Sequence, residues 1–256
     1  MNKIYILGGN GYIGSHFRKY FSGKDELISI NYKSKKNGIS IKNFLSSSFK
    51  INENDKIFDC SWYKPTDYEN KYHLTISMIQ KMNEYNALIK KGARKFYVCG
   101  SCLEYGQQDG QMTNQSLLLP VVPYAIAKVY LFYYLQNYIK KVGGLFSWFR
   151  LFYIYGGERR VNSLYSEALK NSDKKKMITG DLSRRRDFIH IEECCNQMQK
   201  KINGDNFGVY IICNGKSIRI DKFIAMVTHT NIEDWDLTEE KQYNLWFEPH
   251  NFFGEK

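Results

Sequence analysis

The glycines of "LGGNGYIGS", residues 7–15, constrain the fold of this chain more than any other feature. They follow the strand-like stretch "KIYIL" directly and open a segment with helical periodicity. Glycine is required here for three reasons: the turn is tight, the backbone approaches a pyrophosphate, and the helix packs close to the strand. The helix N-terminus supplies N–H donors and positive potential for the phosphates. The motif predicts a strand–loop–helix unit that binds a dinucleotide, with a plain turn as the alternative. The residues predicted to contact the cofactor are Gly8, Gly11, Tyr12, Ile13 and Gly14.

Strand-like and helix-period segments alternate along the first 156 residues, and the longest predicted helix covers 123–141. This alternation is typical of right-handed βαβ units, and it predicts an α/β fold with a doubly wound parallel sheet of the Rossmann type. We expect a dinucleotide-binding domain over 1–155 and a smaller substrate-binding lobe over 156–256. A late strand near 207–213 is expected to return to the sheet.

Composition limits the classes of function. The chain begins without the apolar region of a secretory signal, and it has no apolar run of about 18 residues, so we predict a cytoplasmic protein without membrane contact. The net charge is +11, from 37 basic and 26 acidic residues. Because the lysines are scattered and form no basic face with interleaved aromatic residues, we predict no nucleic-acid partner.

Cys99 and Cys102 stand in a C-x-x-C spacing around Ser101, in "YVCGSCLEYG". A redox dithiol, half of a zinc site, and a serine with thiol neighbours compete for this stretch. A zinc site needs a second ligand pair, and Cys194 and Cys195 are adjacent rather than suitably spaced, so we predict no metal. A thioredoxin-like dithiol belongs at a helix N-terminus in a much smaller fold. The serine with thiol neighbours is thus the interpretation that these arguments leave, and we expect free, buried thiols.

The end of the second predicted strand bears on the choice of cofactor. An NAD-selective site places an acidic residue there, on the ribose 2′-hydroxyl, whereas this chain has Asn31 followed by lysines within 33–36. Positive charge in place of a carboxylate favours the 2′-phosphate of NADP(H), with NAD(H) as the alternative. The additional residues predicted to contact the cofactor are Asn31, Lys33 and Ser34.

"PYAIAKVY" gives Tyr124 and Lys128 at i and i+4 on one helix face. An ammonium near a phenol stabilises the phenolate and lowers the tyrosine pKa from about 10, so that the pair can exchange a proton with a ketone or carbinol. By itself the spacing is also compatible with one more aromatic residue on an aromatic-rich helix.

Five segments occur in order along the chain: "GGNGYIGSH", "GSCLEYG", "PYAIAK", "RLFYIYG" and "RRDFIHIEE". With these, residues from 3 to about 220 resemble the extended short-chain dehydrogenase/reductase family, the NAD(P)-dependent epimerases, dehydratases and reductases of nucleotide sugars. The resemblance implies that Ser101 hydrogen-bonds the reacting oxygen, that Tyr124 is the acid/base, and that Lys128 holds the nicotinamide ribose. It also implies substrate contacts from Cys102, Tyr153 and Arg186, with the arginine on the nucleotide diphosphate.

The residues after Ser101 narrow the choice within the family. The 4,6-dehydratases have an acidic pair directly after the catalytic hydroxyl; here Cys102 and Leu103 stand there, and Glu104 comes one position later. "GSCLEYG" and the compact length resemble 4-ketoreductases of the CDP-abequose or paratose synthase kind. The resemblance thus implies NADPH-dependent reduction of the 4-keto group of a CDP-, dTDP- or GDP-deoxysugar for surface polysaccharide. The alternatives are a 4-epimerase with tightly bound NAD and a non-catalytic NADP(H)-binding regulator. A homodimer is common in this family.

Overall fold

A computed structural model describes residues 2–32, 39–65, 67–158, 163–239 and 249–256. Lys33 and Ser34, both predicted to contact the cofactor, lie outside these residues. Seven parallel strands form the main sheet, in the spatial order β12-β7-β5-β4-β1-β2-β3. The strands, labelled in chain order, are β1 Lys3–Leu7, β2 Glu26–Asn31, β3 Ile39–Ser40, β4 Lys56–Asp59, β5 Lys95–Cys99, β7 Leu145–Leu151 and β12 Gly208–Ile212.

Helices cover both faces of this sheet. In β1, Tyr5 and Leu7 face one apolar cluster while Ile4 and Ile6 face the other, as strand periodicity requires when both faces are buried. The helices are α1 Tyr12–Tyr20, α2 Ile41–Ser46, α3 Met78–Lys90, α4 Pro123–Lys141, α5 Leu164–Lys170, α6 Ile191–Asn203 and α7 Ile220–Thr228. A π-helical turn, His73–Ser77, precedes α3, and short 3₁₀ helices cover Cys102–Tyr105 and Ile232–Asp234. Within the described ranges, every helix is too short or too polar to cross a membrane.

The stretch "LFSWFRLFYIYG", a largely apolar segment interrupted by Arg150, forms two strands in different sheets. β7 ends at Leu151, and β8, Tyr153–Tyr155, pairs with β11, Phe188–His190. The change occurs because the Phe152 N–H still bonds to Ile212 O of the main sheet (3.0 Å), whereas the Tyr153 N–H bonds to Asp187 O (3.2 Å). The chain thereby leaves the main sheet and enters the second lobe.

The second lobe contains short strands that the sequence pattern did not predict. Its four-stranded sheet has the order β13-β10-β15-β6, from Ile218–Arg219, Arg185–Arg186, Asn251–Gly254 and Gly110–Met112. A further pair joins β9, Lys176–Thr179, to β14, Asp236–Glu239. Strand β6 comes from the first half of the chain, and α6 packs against α1 beneath the main sheet. Segments before residue 155 thus contribute to the second lobe, and segments after it contribute to the layers around the main sheet. The division of the chain into two domains at that residue stays a prediction.

Candidate active site

In the main sheet, β2 and β3 lie on one side of β1, and β4 begins the other side, so the strand order reverses at β1. The glycine loop follows β1 and lies at this switch point. Gly8 has φ +82°, a conformation that favours glycine, and its N–H donates to Ile30 O at 2.8 Å. The Gly11 N–H donates to Gly8 O, also at 2.8 Å. A Cβ on Gly14 would lie 2.4 Å from Gly8 O, so only glycine allows α1 to pack this close to the loop.

The start of α1 fits the pyrophosphate of a dinucleotide. Among the described residues, no side chain caps this helix at Gly11, and its first turn carries no acidic residue. The backbone N–H groups and the positive end of the helix dipole therefore face the loop without a competing carboxylate. The Tyr12 hydroxyl donates to Gly156 O (2.7 Å), which ties the helix start to the loop after β8. Gly11, Tyr12, Ile13 and Gly14 would hold the phosphates of NAD(P) through their backbone.

Asn31 occupies the end of β2, where the sequence predicted a ribose contact. Its side chain is buried, and Oδ1 accepts the Asn10 N–H at 2.9 Å, so the amide supports the glycine loop. Its Nδ2 has no hydrogen-bond partner within the described part of the chain. The position is thus polar, uncharged and adjacent to the predicted cofactor site.

A buried charged cluster beneath the glycine loop was missed by the sequence analysis. Asp59, at the end of β4, accepts bonds from the Ser61 N–H (2.9 Å), the Lys81 ammonium (2.9 Å) and the Tyr85 hydroxyl (2.7 Å). Burial acts to raise the pKa of Asp59, but Lys81 and Ser61 outweigh it and the pKa falls below its ordinary value. Ser61 in turn packs against Gly8. The sequence contained one signal for this cluster: Lys81 lies among the apolar positions of α3, and Asp59 ends the strand before it.

Ser101 begins the 3₁₀ helix after β5 and is held by a capping box with Glu104. The Leu103 N–H donates to Ser101 Oγ (3.2 Å), and the Ser101 N–H donates to the Glu104 carboxylate (2.8 Å). That carboxylate, with no exposed surface, also accepts bonds from Trp148 Nε1 (3.0 Å) and Arg150 Nε (2.9 Å). Glu104 is therefore fully committed to holding the Ser101 turn.

Tyr124 and Lys128 lie one turn apart at the start of α4, and both are buried, with 8% and 4% of their surface exposed. The Lys128 ammonium lies 5.8 Å from the centroid of the Tyr124 ring and donates to Cys99 O, at the end of β5, at 2.8 Å. The bond to Cys99 brings Lys128 to the strand end that also carries Ser101. Ser101 opens the 3₁₀ helix that packs against α4, and Leu103 of that helix lies in one apolar cluster with Tyr124. The three predicted catalytic residues thus lie on adjoining segments.

The predicted lowering of the Tyr124 pKa by Lys128 is wrong for this structure. Burial raises the pKa of Tyr124 well above 10, and Tyr68 and Glu104 act in the same direction. Burial also lowers the pKa of Lys128 to about 8. The physical reason is that both groups are withdrawn from water, and the cost of a buried charge exceeds the attraction between ammonium and phenolate.

The two thiols beside Ser101 face different surroundings. All six cysteines are free, Cys99 packs in the cluster below the sheet, and Cys102 packs with Phe152, Cys213 and Phe252 in another. Burial raises the pKa of the Cys99 thiol well above 9, so it stays protonated. Within the described ranges, no group of three or more His, Cys, Asp or Glu side chains could hold a metal ion.

Arg186, predicted to contact substrate, lies in β10 and is 2% exposed. Its Nη1 donates to Arg185 O (2.9 Å) and His250 O (3.3 Å), and its guanidinium lies 5.5 Å from the centroid of the Tyr153 ring. The structure therefore brings two of the predicted substrate residues, Arg186 and Tyr153, into contact in the second lobe.

The neighbouring Asp187 has no exposed surface and binds three backbone segments together. It accepts the N–H groups of Asn214 (2.7 Å), Gly215 (2.8 Å) and Gly254 (3.3 Å). Burial raises its pKa even though these bonds act in the opposite direction. Asp187 thus fixes Arg186 relative to β12 and the last strand, a role that sequence reasoning did not find.

A parallel sheet with a glycine loop at its switch point, and with a Tyr/Lys pair at the adjoining strand end, defines an NAD(P)-binding enzyme of the Rossmann class. Residues 4–213 match the model of the NAD dependent epimerase/dehydratase family, so the chain belongs to that family. The predicted fold and family are confirmed.

A curated relative, dTDP-6-deoxy-L-talose 4-dehydrogenase (NAD(+)) of Aggregatibacter actinomycetemcomitans, is 25% identical over 248 residues, covering 87% of this chain and 89% of the relative. The structure of UDP-N-acetylglucosamine 4-epimerase from Methanobrevibacter ruminantium M1, in complex with UDP-N-acetylmuramic acid, has a TM-score of 0.81 at 19% identity, covering 98% of this chain and 89% of that one. RMD from Pseudomonas aeruginosa, complexed with NADPH, has a TM-score of 0.80 at 15% identity, with the same coverages of 98% and 89%. The two structural likenesses demonstrate a shared fold.

Proposed function

We propose that this protein reduces the 4-keto group of a nucleotide-activated deoxysugar with NAD(P)H. The observation that supports the proposal is that Ser101, Tyr124 and Lys128 lie on adjoining segments in a family of NAD-dependent enzymes. Lys128 bonds to Cys99 O, two residues before Ser101, and Tyr124 packs with Leu103, two residues after it. A curated relative named for oxidation at C4 of a dTDP-6-deoxy sugar supports it, because that reaction is a 4-keto reduction run backwards.

In this mechanism the bound cofactor supplies the hydride that adds to the carbonyl carbon. Tyr124 donates its phenolic proton to the carbonyl oxygen, a role that suits a buried tyrosine that holds its proton at neutral pH. Ser101 Oγ accepts the Leu103 N–H, and its own O–H is directed to the same oxygen. The Lys128 ammonium then stabilises the phenolate left on Tyr124 and would hold the ribose of the cofactor.

Water elimination fits this site poorly. A 4,6-dehydratase needs a carboxylate that moves protons beside the catalytic hydroxyl, and the nearest in the chain is Glu104. Its oxygens accept bonds from Ser101, Trp148 and Arg150, which supports a positioning role for it.

A 4-epimerase with tightly bound NAD is the second candidate, because the same three residues can oxidise and re-reduce one carbon. The two functions differ in stoichiometry, since a reductase consumes one NAD(P)H per sugar and an epimerase returns its hydride. A non-catalytic NADP(H)-binding regulator is the third candidate, and the retention of both Tyr124 and Lys128 argues against it.

We propose NADP(H) as the preferred cofactor over NAD(H). Asn31 carries no charge at the end of β2, and the sequence places lysines at positions 33, 35 and 36. A 2′-phosphate is therefore not repelled at this position, and the lysines supply positive charge for it.

For the substrate we propose a CDP-, dTDP- or GDP-sugar whose diphosphate is bound by Arg186. A guanidinium can bond two phosphate oxygens at once, and Tyr153 lies beside it. Cys102, near Tyr124, is proposed to line the sugar pocket. A soluble, cytoplasmic role in surface polysaccharide synthesis, without nucleic-acid or membrane partners, is part of the same proposal.

A homodimer is proposed through the adjoining helices α3 and α4. Four large apolar side chains on this side are about half exposed or more: Ile76 57%, Ile79 49%, Tyr130 64% and Tyr133 50%. Burying them against a second copy removes apolar surface from water. Sedimentation analysis should give twice the mass of the chain, and a monomer at all concentrations would contradict the proposal.

The central experiment incubates purified protein with NADPH or NADH and a panel of nucleotide-linked 4-keto sugars. We expect stoichiometric loss of absorbance at 340 nm, the NAD(P)H band, with at least one ketone. Tyr124→Phe should reduce kcat by about 10²- to 10⁴-fold while leaving cofactor binding intact. Failure with every ketone, together with reversible conversion of a stable nucleotide hexose, would favour the epimerase.

A further inference from the structure

The loop after β4 brings an indole onto the Lys128 ammonium. The centroid of the Trp62 ring lies 4.1 Å from Lys128 Nζ, closer than the rings of Tyr124 (5.8 Å) and Trp148 (5.9 Å). Tryptophan has the aromatic face that attracts a cation most strongly, and the attraction grows when water is excluded. Lys128 is 4% exposed, so its ammonium depends on the groups that line this small space.

Those groups include no direct ion pair. Within the described part of the chain, no carboxylate oxygen lies within 4 Å of Lys128 Nζ, and its hydrogen bond goes to the backbone oxygen of Cys99. The titratable groups that act on Lys128 are Asp59 on β4, Cys99 on β5, Glu104 on the 3₁₀ helix, Lys81 on α3, His73 on the π-helical turn and Tyr124 on α4. Among the aromatic rings of the described residues, the Trp62 face is therefore the one closest to the ammonium.

A fully buried histidine fixes the indole in this place. Trp62 Nε1 donates to His73 Nδ1 (3.0 Å), and His73 Nε2 lies 2.7 Å from Asp67 O. An indole N–H can only donate and a carbonyl oxygen can only accept, so the histidine is the neutral tautomer with its proton on Nε2. Burial lowers the His73 pKa, which keeps the ring in this form.

The same two rings also contact the predicted acid. His73 and Trp62 meet the Tyr124 ring edge to face, with centroid distances of 5.2 and 5.9 Å. Tyr68 completes this wall: its ring lies 5.3 Å from Tyr124, and its backbone oxygen accepts the Tyr124 N–H (3.0 Å). Trp62 thus contacts both members of the Tyr/Lys pair.

We propose that Trp62 is a positioning residue of this site: its indole face holds the Lys128 ammonium beside Tyr124, and His73 fixes the indole in that position. The catalytic part of this inference rests on the proposed function. The contact between indole and ammonium stands on the geometry alone and is tested without turnover.

The test is a double-mutant cycle on stability, with Trp62→Leu, Lys128→Met and the double variant unfolded in urea at pH 6.5 and pH 10.5. A cation–π contact couples the two positions only while Lys128 is charged. We expect a coupling of about 5- to 30-fold in the unfolding equilibrium constant at pH 6.5, and its loss at pH 10.5. A coupling that is absent at pH 6.5, or that is equal at both pH values, would overturn the proposal.

Two controls keep the result specific. Trp62→Phe retains an aromatic face but loses the N–H bonded to His73. A cycle of Trp62→Phe with Lys128→Met should therefore give a coupling at pH 6.5 that is smaller than the coupling of the Trp62→Leu cycle. Trp235→Leu, in a separate apolar cluster of the second lobe, should show no coupling with Lys128→Met. If Trp62→Leu does not fold, the Trp62→Phe cycle still decides, because equal coupling at both pH values there would also overturn the proposal.

The catalytic consequence is read in the pH dependence of kcat. Leucine keeps the site apolar but removes the π face, so the Lys128 ammonium loses its proton more easily. We expect the limb of the profile that reports this ammonium to move to lower pH by about one unit in Trp62→Leu and by less in Trp62→Phe. If the coupling depends on pH but the limb of the kcat profile does not move, Trp62 contacts the ammonium and has no role in turnover. If no substrate is reduced, the proposed function fails, and the cycle still reports on Trp62.

Discussion

The cofactor end and the sugar end of the site are built in different ways. The glycine loop is made by consecutive residues, and contacts among Gly8, Gly11 and Gly14 close its turn, while bonds to Ile30 and Asn31 attach it to the neighbouring strand. The sugar end is assembled from distant segments, since Arg186 bonds to His250 O and Asp187 accepts the N–H groups of Asn214, after β12, and of Gly254 in β15. A local motif therefore identifies the cofactor class, whereas the substrate residues are positioned by long-range packing.

The largest effect is expected at the cofactor end, from Gly14→Ala. The new Cβ would lie 2.4 Å from Gly8 O and 2.7 Å from Gly9 Cα, so the loop or the helix must shift. We expect a loss of about 1 to 3 kcal/mol in unfolding free energy and weaker NAD(P)H binding by about 100-fold. Urea unfolding and fluorescence titration with NADPH measure the two quantities.

Gly11→Ala is the matched control for that substitution. Its Cβ would meet only Gly8 O, at 3.1 Å, and its φ of −75° suits any residue. We expect stability within about 0.5 kcal/mol of the parent, since this single contact needs a shift of only a few tenths of an ångström. If both variants unfold alike, the close approach of α1 to the loop is not what selects glycine at position 14.

At the sugar end, Arg186→Lys should raise the KM for the nucleotide sugar by about 10- to 100-fold, because lysine keeps the charge but cannot form paired bonds to phosphate. The KM for NADPH should stay the same. Steady-state kinetics with each substrate varied separately measures the split. An unchanged sugar KM with a lowered Tm would make Arg186 a structural link between β10 and the segment that contains His250.

Between the two ends, Lys128→Met tests the cost of a buried ammonium. Burial lowers the pKa of Lys128 from 10.5 to about 8. Between these pH values the unfolded chain holds a proton on Lys128 that the folded chain has released, so Lys128 makes the stability rise with pH in this window. Buried thiols and phenols with a raised pKa, such as Cys99 and Tyr124, act in the opposite direction in both proteins, so the quantity compared is the difference between the parent and Lys128→Met. The contribution of Lys128 is at most about 3.5 kcal/mol, since each pKa unit corresponds to about 1.4 kcal/mol. Lys128→Met should lack this rise, and identical pH profiles of unfolding would contradict the lowered pKa.

The sequence predicted the elements whose signals are local. The predicted helix over 123–141 agrees with α4, and the first strand and the glycine loop lie where expected. The short strands β6 and β15 could not be predicted, because each has only three or four residues and exists only through its partners.

The candidate site shows the same limit. Ser101, Tyr124 and Lys128 were identified from motif order, but their environment depends on residues far along the chain. The role of Glu104 depends on Trp148 and Arg150, which are 44 and 46 residues away. The direction of the Tyr124 pKa was mispredicted because spacing on a helix reports nearness to a charge and does not report burial.

The smallest effect is expected from Asn31→Asp, which sharpens the comparison at the cofactor end. An aspartate keeps the oxygen that accepts the Asn10 N–H, so the loop should hold its shape. Its negative charge repels a 2′-phosphate and accepts bonds from a ribose 2′-hydroxyl, so the ratio of NADPH to NADH affinity should fall by about 10-fold. Fluorescence titration with each nucleotide measures this ratio, and Asn31→Ser, which adds no charge, is the control. If the ratio does not change, the lysines that follow Asn31, rather than the end of β2, determine the preference, and even the cofactor end then depends on more than its local motif.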